Sequence, residues 1–271
     1  MKINKKVRNG IRYLIMLFAL VVFGYASYEL TDIYLSYAQS SEAYSDVSNQ
    51  FMVPVIGDIE MGEPETDENG IVISNGDVGL DFVFDFAALK RMNKDAVGWM
   101  KLGNGDYINY PVVQGKDNEF YLKHLIDRRW NVCGTLFIDY RCKDAWESKH
   151  VIVYGHRMKD LSMFGMVARY VTRSNFHKQN PYFDIWCGET HYRYYVYAMF
   201  QDDALTTGAY QLEFESDEEF MAYIAEHKEK SKYKVDIEIL PTDKIVTLST
   251  CVEATGYERY IVQLVRREVV E

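Results

Sequence analysis

A cysteine, a histidine and an arginine carry the chemistry legible in this chain. The segment Thr247-Leu248-Ser249-Thr250-Cys251 closes an alternation of apolar and polar residues that begins at Lys244 and predicts a β-strand. Successive strand side chains point to opposite faces. Val246 and Leu248 therefore share an inward face, and Thr247, Ser249 and Cys251 an accessible one. A free thiol, with a pKa of ~8.5, is mostly protonated at neutral pH, so a nucleophilic Cys251 needs a cation beside it. His156, in Tyr154-Gly155-His156-Arg157-Met158, follows the apolar run Val151-Ile152-Val153. Gly155 predicts a tight turn that lifts the imidazole above the strand end, where it can exchange protons with a departing and an arriving amine. Arg259 opens the strand Tyr260-Ile261-Val262-Gln263-Leu264-Val265. It stays protonated, so its part is to donate hydrogen bonds to a carbonyl or an oxyanion. The other histidines, at 124, 150, 177, 191 and 227, have no comparable setting.

The elements that must hold these three residues are mostly strands. Trp99–Leu102, Ile108–Val113, Gly134–Asp139, His150–Tyr154, Tyr192–Gln201, Val235–Leu240, Lys244–Cys251 and Arg259–Arg266 read as eight, a number compatible with a closed barrel. Helical spacing places Phe86, Leu89 and Met92 on one face of a helix over Asp85–Asn93. Asp117 caps a second helix carrying Phe120, Tyr121 and His124. Ser216-Asp217-Glu218-Glu219 is a capping box, followed by Phe220, Tyr223, Ile224 and His227 at helical intervals.

The chain has 271 residues, 48% hydrophobic, enough for one sizeable core and appendages. A net charge of −10 argues against nucleic acid as a partner. Four cysteines, without a Cys-x-x-Cys or His-rich pattern, give no zinc signature, and no other metal or cofactor is expected. Cys133 and Cys187 read as small buried hydrophobes, and a Cys133–Cys142 bridge is the less favoured pairing.

Charge is segregated at the start. Lys2, Lys5, Lys6, Arg8 and Arg12 precede the uncharged run Tyr13–Tyr28, and no Lys or Arg follows until after Leu89. This predicts a cytoplasmic tail (1–12), a transmembrane signal anchor (13–28), an exported stalk and acidic linker (29–80) and a catalytic domain (81–271). At ~1.5 Å per residue the run spans roughly 24 Å, a little under a bilayer core, with Tyr25, Tyr28 and Tyr34 at its interface. A cleaved signal peptide is the competing reading. Within 56–80, glycines alternate with carboxylates in a composition that cannot order itself.

Taken in order, the Tyr-Gly-His turn, the Thr-Leu-Ser-Thr-Cys strand and the following Arg strand resemble the sortases, cysteine transpeptidases of the Gram-positive cell surface. The stretch from Asp95-Ala96-Val97-Gly98-Trp99 to Tyr110-Pro111-Val112-Val113-Gln114-Gly115-Lys116-Asp117-Asn118 is similar to class B in particular. The resemblance implies an eight-stranded sortase-type β-barrel, with N-terminal helices and a long helix between late strands that walls the substrate groove. It implies Cys251 as nucleophile, His156 as acid and base, and Arg259 on the oxyanion. Ser249, Thr250, Tyr223 and Ile224 would then touch substrate. The implied partners are secreted proteins with a C-terminal sorting motif, cleaved after Thr, and a peptidoglycan amine. A pilin lysine as acceptor, a protease using water and a non-catalytic binding module are the alternatives. Two departures sit beside the site: Arg157 stands where Asn is more usual in class B, and a short loop separates Cys251 from Arg259.

Overall fold

A computed structural model describes residues 5–54, 65–66, 72–74, 82–102, 107–188, 190–253 and 255–269. Eight strands close into a barrel: β1 (Ala96–Leu102), β2 (Asn109–Val113), β3 (Leu136–Ile138), β4 (His150–Tyr154), β5 (Tyr182–Cys187), β6 (Thr190–Asp203), β7 (Ile245–Cys251) and β8 (Glu258–Val269). Around the barrel they run β6-β8-β7-β4-β3-β2-β1-β5, and β5 closes on β6. The contacts β2–β3 and β4–β7 are parallel and the others antiparallel. Val112, Leu136, Val151, Val153, Val246, Leu248, Val262 and Leu264, all buried, belong to the main core.

The eight strands are not the eight expected. Val235–Leu240 is extended but joins no ladder. Tyr233, Val235, Ile237 and Ile239 face the protein while the residues between them are exposed, so the period of two is real. It reports an extended chain packed on one side, and packing alone does not make a strand. The strand that completes the barrel is β5, whose apolar run is broken by Asp184. That carboxylate is buried opposite Arg193 of β6, which bonds it at 2.9 Å, and His191 approaches it at 3.1 Å.

Among the described residues five α-helices accompany the barrel: α1 (Lys5–Phe51), α2 (Phe86–Met92), α3 (Ala168–Thr172), α4 (Phe176–Gln179) and α5 (Asp217–Lys230). Asp85 caps α2 by accepting from Ala88 N–H, and Ser216 caps α5 by accepting from Glu219 N–H. Glu219 returns its carboxylate to the Glu215 N–H. Asp117 accepts from the Glu119 and Phe120 N–H groups as expected, but the element it starts is one 3-10 turn, Phe120–Leu122. The apolar face of α5 (Phe220, Tyr223 and Ile224) covers a second core on the outside of the barrel with Tyr197, Phe200, Ile245, Ile261 and Val265.

The first helix differs most from the expected domain boundaries. From Ile11 to Leu35 its large apolar side chains are exposed, and the helix is long and apolar enough to cross a membrane. It then continues without a break to Phe51. Ser36, Ser40, Tyr44, Val47 and Phe51 form a stripe at helical spacing that is buried against the barrel. The folded body therefore takes in part of the segment expected as stalk. Asn131 Nδ2 donates to the Ser36 carbonyl at 2.9 Å, and Asn109 Nδ2 to Ser48 Oγ at 3.0 Å. Just beyond α1, Met52–Pro54 pairs antiparallel with Phe82–Phe84. The expected acidic linker lies outside the described residues except for 65–66 and 72–74, which pair with each other.

Candidate active site

Cys251 is the last residue of β7, and the sheet sets its neighbours. On one side β7 pairs with β8 antiparallel, with Cys251 directly opposite Arg259. The Val252 N–H bonds the Glu258 carbonyl next along the ladder. Cys251 and Arg259 are thus a non-hydrogen-bonded pair, the kind in which facing side chains lie closer. On the other side β7 pairs with β4 in parallel, with Ser249 opposite Tyr154. Two residues further the same register matches Cys251 with His156. Adjacent strands are about 4.8 Å apart, so His156 and Arg259 flank the thiol at one end of the barrel. Cys251, His156 and Arg259 are each half-buried.

Each of the three is held by local bonds. Thr250 Oγ1 donates to the Gly155 carbonyl at 2.7 Å, and the Gly155 N–H donates to the Ser249 carbonyl at 3.3 Å, tying the turn before His156 to β7. Gly155 was expected to permit a tight turn. It is not among the positive-φ residues; what it supplies is the absence of a Cβ, which would fall 2.4 Å from Leu136 Cδ2 and 2.8 Å from the Phe164 ring. His156 Nε2 lies 2.7 Å from the Leu122 carbonyl. A carbonyl can only accept, so Nε2 carries a proton and Nδ1 is left to exchange one. Arg259 donates from Nη1 to the Gly256 and Glu258 carbonyls, both at 2.9 Å, which leaves its remaining N–H groups to reach a substrate oxygen.

Arg157 crosses from the histidine turn to the far side of the cysteine. It donates to the Val252 carbonyl and lies 5.9 Å from the Tyr260 ring centre. The departure noted in the sequence thus ties the residue after His156 to the residue after Cys251.

The four expected substrate contacts are differently placed. Ser249 and Thr250 are 2% exposed. The supposedly accessible face of β7 is roofed, because Tyr210 and α5 lie over it. Tyr223 and Ile224 belong to the second core, not to an open wall. The Tyr223 hydroxyl donates to the Ala209 carbonyl at 3.1 Å and accepts from Gln263 Nε2 at 2.6 Å. Gln263 also reaches Thr247 Oγ1, which meets His150 Nε2 at 2.7 Å. His150 Nδ1 donates to the Gln211 carbonyl, and in the neutral ring that burial favours Nε2 accepts from Thr247 Oγ1. Burial drives the His150 pKa down to about 4.

Tyr210 is the site residue the sequence reading missed. It ends the turn Gly208–Tyr210, capped by Thr207, and its hydroxyl meets Ser249 Oγ at 2.7 Å. Its pKa is raised chiefly by burial; the Ser249 hydroxyl and the Arg259 charge pull it down and a Cys251 thiolate pushes it up. Its ring packs edge-on to Tyr154, whose hydroxyl donates to Asp139. Burial works to raise the Asp139 carboxyl, but bonds from Arg141 and Tyr154 outweigh it and hold the carboxyl below the usual range.

The remaining thiols are free and unsuited to attack. Burial raises Cys133, and raises Cys142 and Cys187 to about 11. Among the described residues no group of His, Cys, Asp and Glu side chains could hold a metal ion.

No family model matches the chain. Among characterised proteins, Sortase B of Listeria monocytogenes is 35% identical over 173 residues, covering 63% of this chain and 68% of the relative. Sortase B of Staphylococcus aureus is 34% identical over 171 residues, with 62% and 68% covered. Among solved structures, a Staphylococcus aureus sortase B–substrate complex superposes with a TM-score of 0.63 at 30% identity, covering 68% of this chain and 85% of that one. Sortase B from B. anthracis gives a TM-score of 0.67 at 28% identity, covering 87% and 100%.

Proposed function

Because the chain belongs to the class B sortases, we propose that it is a membrane-held cysteine transpeptidase that joins secreted proteins to an amine of the cell wall. What supports this reading is Arg259 opposite Cys251 on β8, with His156 two residues beyond the Tyr154–Ser249 pair of β4 and β7. A guanidinium on one side and an imidazole on the other favour a Cys251 thiolate. The thiolate attacks the carbonyl of a Thr inside a sorting motif, and Arg259 donates to the oxygen that becomes negative. Collapse of the tetrahedral intermediate breaks the C–N bond, and His156 supplies the proton to the departing amine. The resulting thioester is opened by an incoming amine, whose proton His156 takes back. Tyr210, bonded to Ser249 and facing the same end, lines the approach to the thiol.

The apolar part of α1 is proposed to cross the membrane, with the basic tail in the cytoplasm and the barrel outside. The donor is proposed to be a protein with an Asn-Pro- or Ser-Pro-led motif, and the acceptor a peptidoglycan precursor.

The test uses the full chain in detergent micelles with peptides led by Asn-Pro, Ser-Pro and Leu-Pro. Products are followed by mass spectrometry with and without oligoglycine or diaminopimelate-type amines, beside Cys251→Ala. An amine-joined product that disappears in the variant is the expected result. Hydrolysis alone, unaffected by any amine, would favour the protease reading. Turnover that survives Cys251→Ala would remove the mechanism.

A further inference from the structure

The docked half of α1 reaches the active row through bonds that anchoring does not need. Tyr44, on the buried stripe of α1, is 4% exposed. Its hydroxyl donates to the Gly134 carbonyl at 2.5 Å and meets Thr135 Oγ1 at 2.9 Å. Thr135 Oγ1 also lies 2.8 Å from the His124 carbonyl, and the Thr135 N–H donates to the Tyr121 carbonyl at 3.0 Å. One aromatic hydroxyl thus pins the residues that hold the segment Tyr121–His124.

Gly134 makes the coupling closer. It has φ of 61°, and a Cβ added there would fall 2.4 Å from the Tyr121 carbonyl oxygen and 2.8 Å from the Leu122 carbonyl oxygen. The space beside its α-carbon is filled by the carbonyl that receives the His156 Nε2–H, with no room for a side chain between them. The route is short: Tyr44 hydroxyl to Gly134 carbonyl, Gly134 backbone against Leu122 carbonyl, Leu122 carbonyl to imidazole. No link in it is a flexible surface side chain. A buried carbonyl that loses a donor must find another partner, and here the peptide that would move lies beside the Leu122 carbonyl.

We propose that Tyr44 is a positioning residue for the transferase reaction, holding the Leu122 carbonyl where it fixes the tautomer and the orientation of His156. On this view α1 is part of the catalytic apparatus as well as its tether. The proposal rests on the catalytic reading of His156, and the experiment separates the two.

In the full chain in micelles, Tyr44→Phe keeps the ring, which packs edge-on to Tyr110 at 5.2 Å, and removes only the hydroxyl. Cleavage of the best peptide is expected to lose about tenfold in kcat at unchanged KM, the size of effect that slight misplacement of a catalytic group produces. The imidazole ¹⁵N signals of His156 are expected to move away from the pattern of a single Nε2–H tautomer. In a His156→Ala background, adding Tyr44→Phe is expected to leave the rate of Cys251 alkylation by iodoacetamide unchanged, since the effect travels through the imidazole. Wild-type kcat and wild-type ¹⁵N signals in Tyr44→Phe, with His156→Ala inactive, would overturn the proposal and leave the catalytic reading standing. A further loss of alkylation rate in the double variant would also overturn it, by showing general loosening of the site. Turnover that survives His156→Ala would remove the catalytic reading and the proposal together.

Discussion

Acidification should loosen the roof over β7 through one buried imidazole. His150 is fully buried between the Gln211 carbonyl and Thr247 Oγ1, and its pKa falls from 6.5 to about 4. The sign follows from proton counting. Between those values the unfolded chain binds a proton that the folded chain refuses, so stability rises with pH across the window. The contribution is complete above about 6.5 and is lost as pH falls toward 4. A difference of that size corresponds to about 3 kcal/mol, a large share of the 5–15 kcal/mol typical of a domain. His227 and His177, also lowered by burial, act in the same direction. The assay is urea unfolding of the full chain in non-ionic micelles at pH 4.5 to 7.5, followed by near-ultraviolet circular dichroism. His150→Gln keeps a side-chain amide near Thr247 and removes the titration. The wild type should lose about 2.5 kcal/mol more than the variant over this range, which stops just above the folded pKa. Parallel curves for the two proteins would refute the reasoning, because the buried imidazole would then carry no linkage.

Other outcomes follow from single contacts. Arg259→Ala should lower kcat/KM by about 10²–10³, as loss of an oxyanion donor does, and Arg259→Lys should recover only part of it because a point charge cannot replace the guanidinium fork. Peptide kinetics check both. Gly155→Ala drives a methyl into Leu136 and Phe164, so it should cost about 1–3 kcal/mol in melting experiments and depress kcat through the displaced His156 turn. Tyr223→Phe should destabilise by about 1–3 kcal/mol by taking the donor from the Ala209 carbonyl and one of two acceptors from Gln263, while kcat/KM stays within a few-fold. A large loss of kcat/KM at unchanged stability would instead make Tyr223 a substrate contact. Iodoacetamide on the native chain should label Cys251, with Cys133, Cys142 and Cys187 reacting only after unfolding, as peptide mapping would report.

The placement of the three candidate residues was easier to read from the sequence than their surroundings. Cys251, His156 and Arg259 stand at strand ends, and strand ends leave local marks: an alternation that stops, a glycine, a charge before a β-branched run. The closed barrel was legible as a number of strands, but β5 was hidden by Asp184, whose partner Arg193 lies across a hairpin. Val235–Leu240 misled for the opposite reason, because alternation records which side is buried and says nothing about hydrogen-bond partners. Tyr210 left no signal at all. Its place depends on a turn capped by Thr207 and on a hydroxyl thirty-nine residues further along the chain. The outward face of β7 was taken as open because its residues are polar. Two of them have buried polar partners: His150 and Gln263 on the flanking strands bond Thr247, and Tyr210 bonds Ser249.

The unbroken passage of α1 from its apolar stretch into its docked stripe also sets an angle. A helix turns about 100° per residue and rises about 1.5 Å. With the apolar stretch fixed in a bilayer, as proposed, no swivel intervenes before Ser36, where the barrel takes hold. The compass bearing of the catalytic row around the membrane normal is then written in the number of residues between Tyr28 and Ser36. Adding one alanine there would swing the row by more than a quarter turn while lifting it by little more than the length of a bond. Adding seven would bring it back almost to its first bearing, about 10 Å higher. Bearing and height can thus be changed separately, with every residue of the site left as it is.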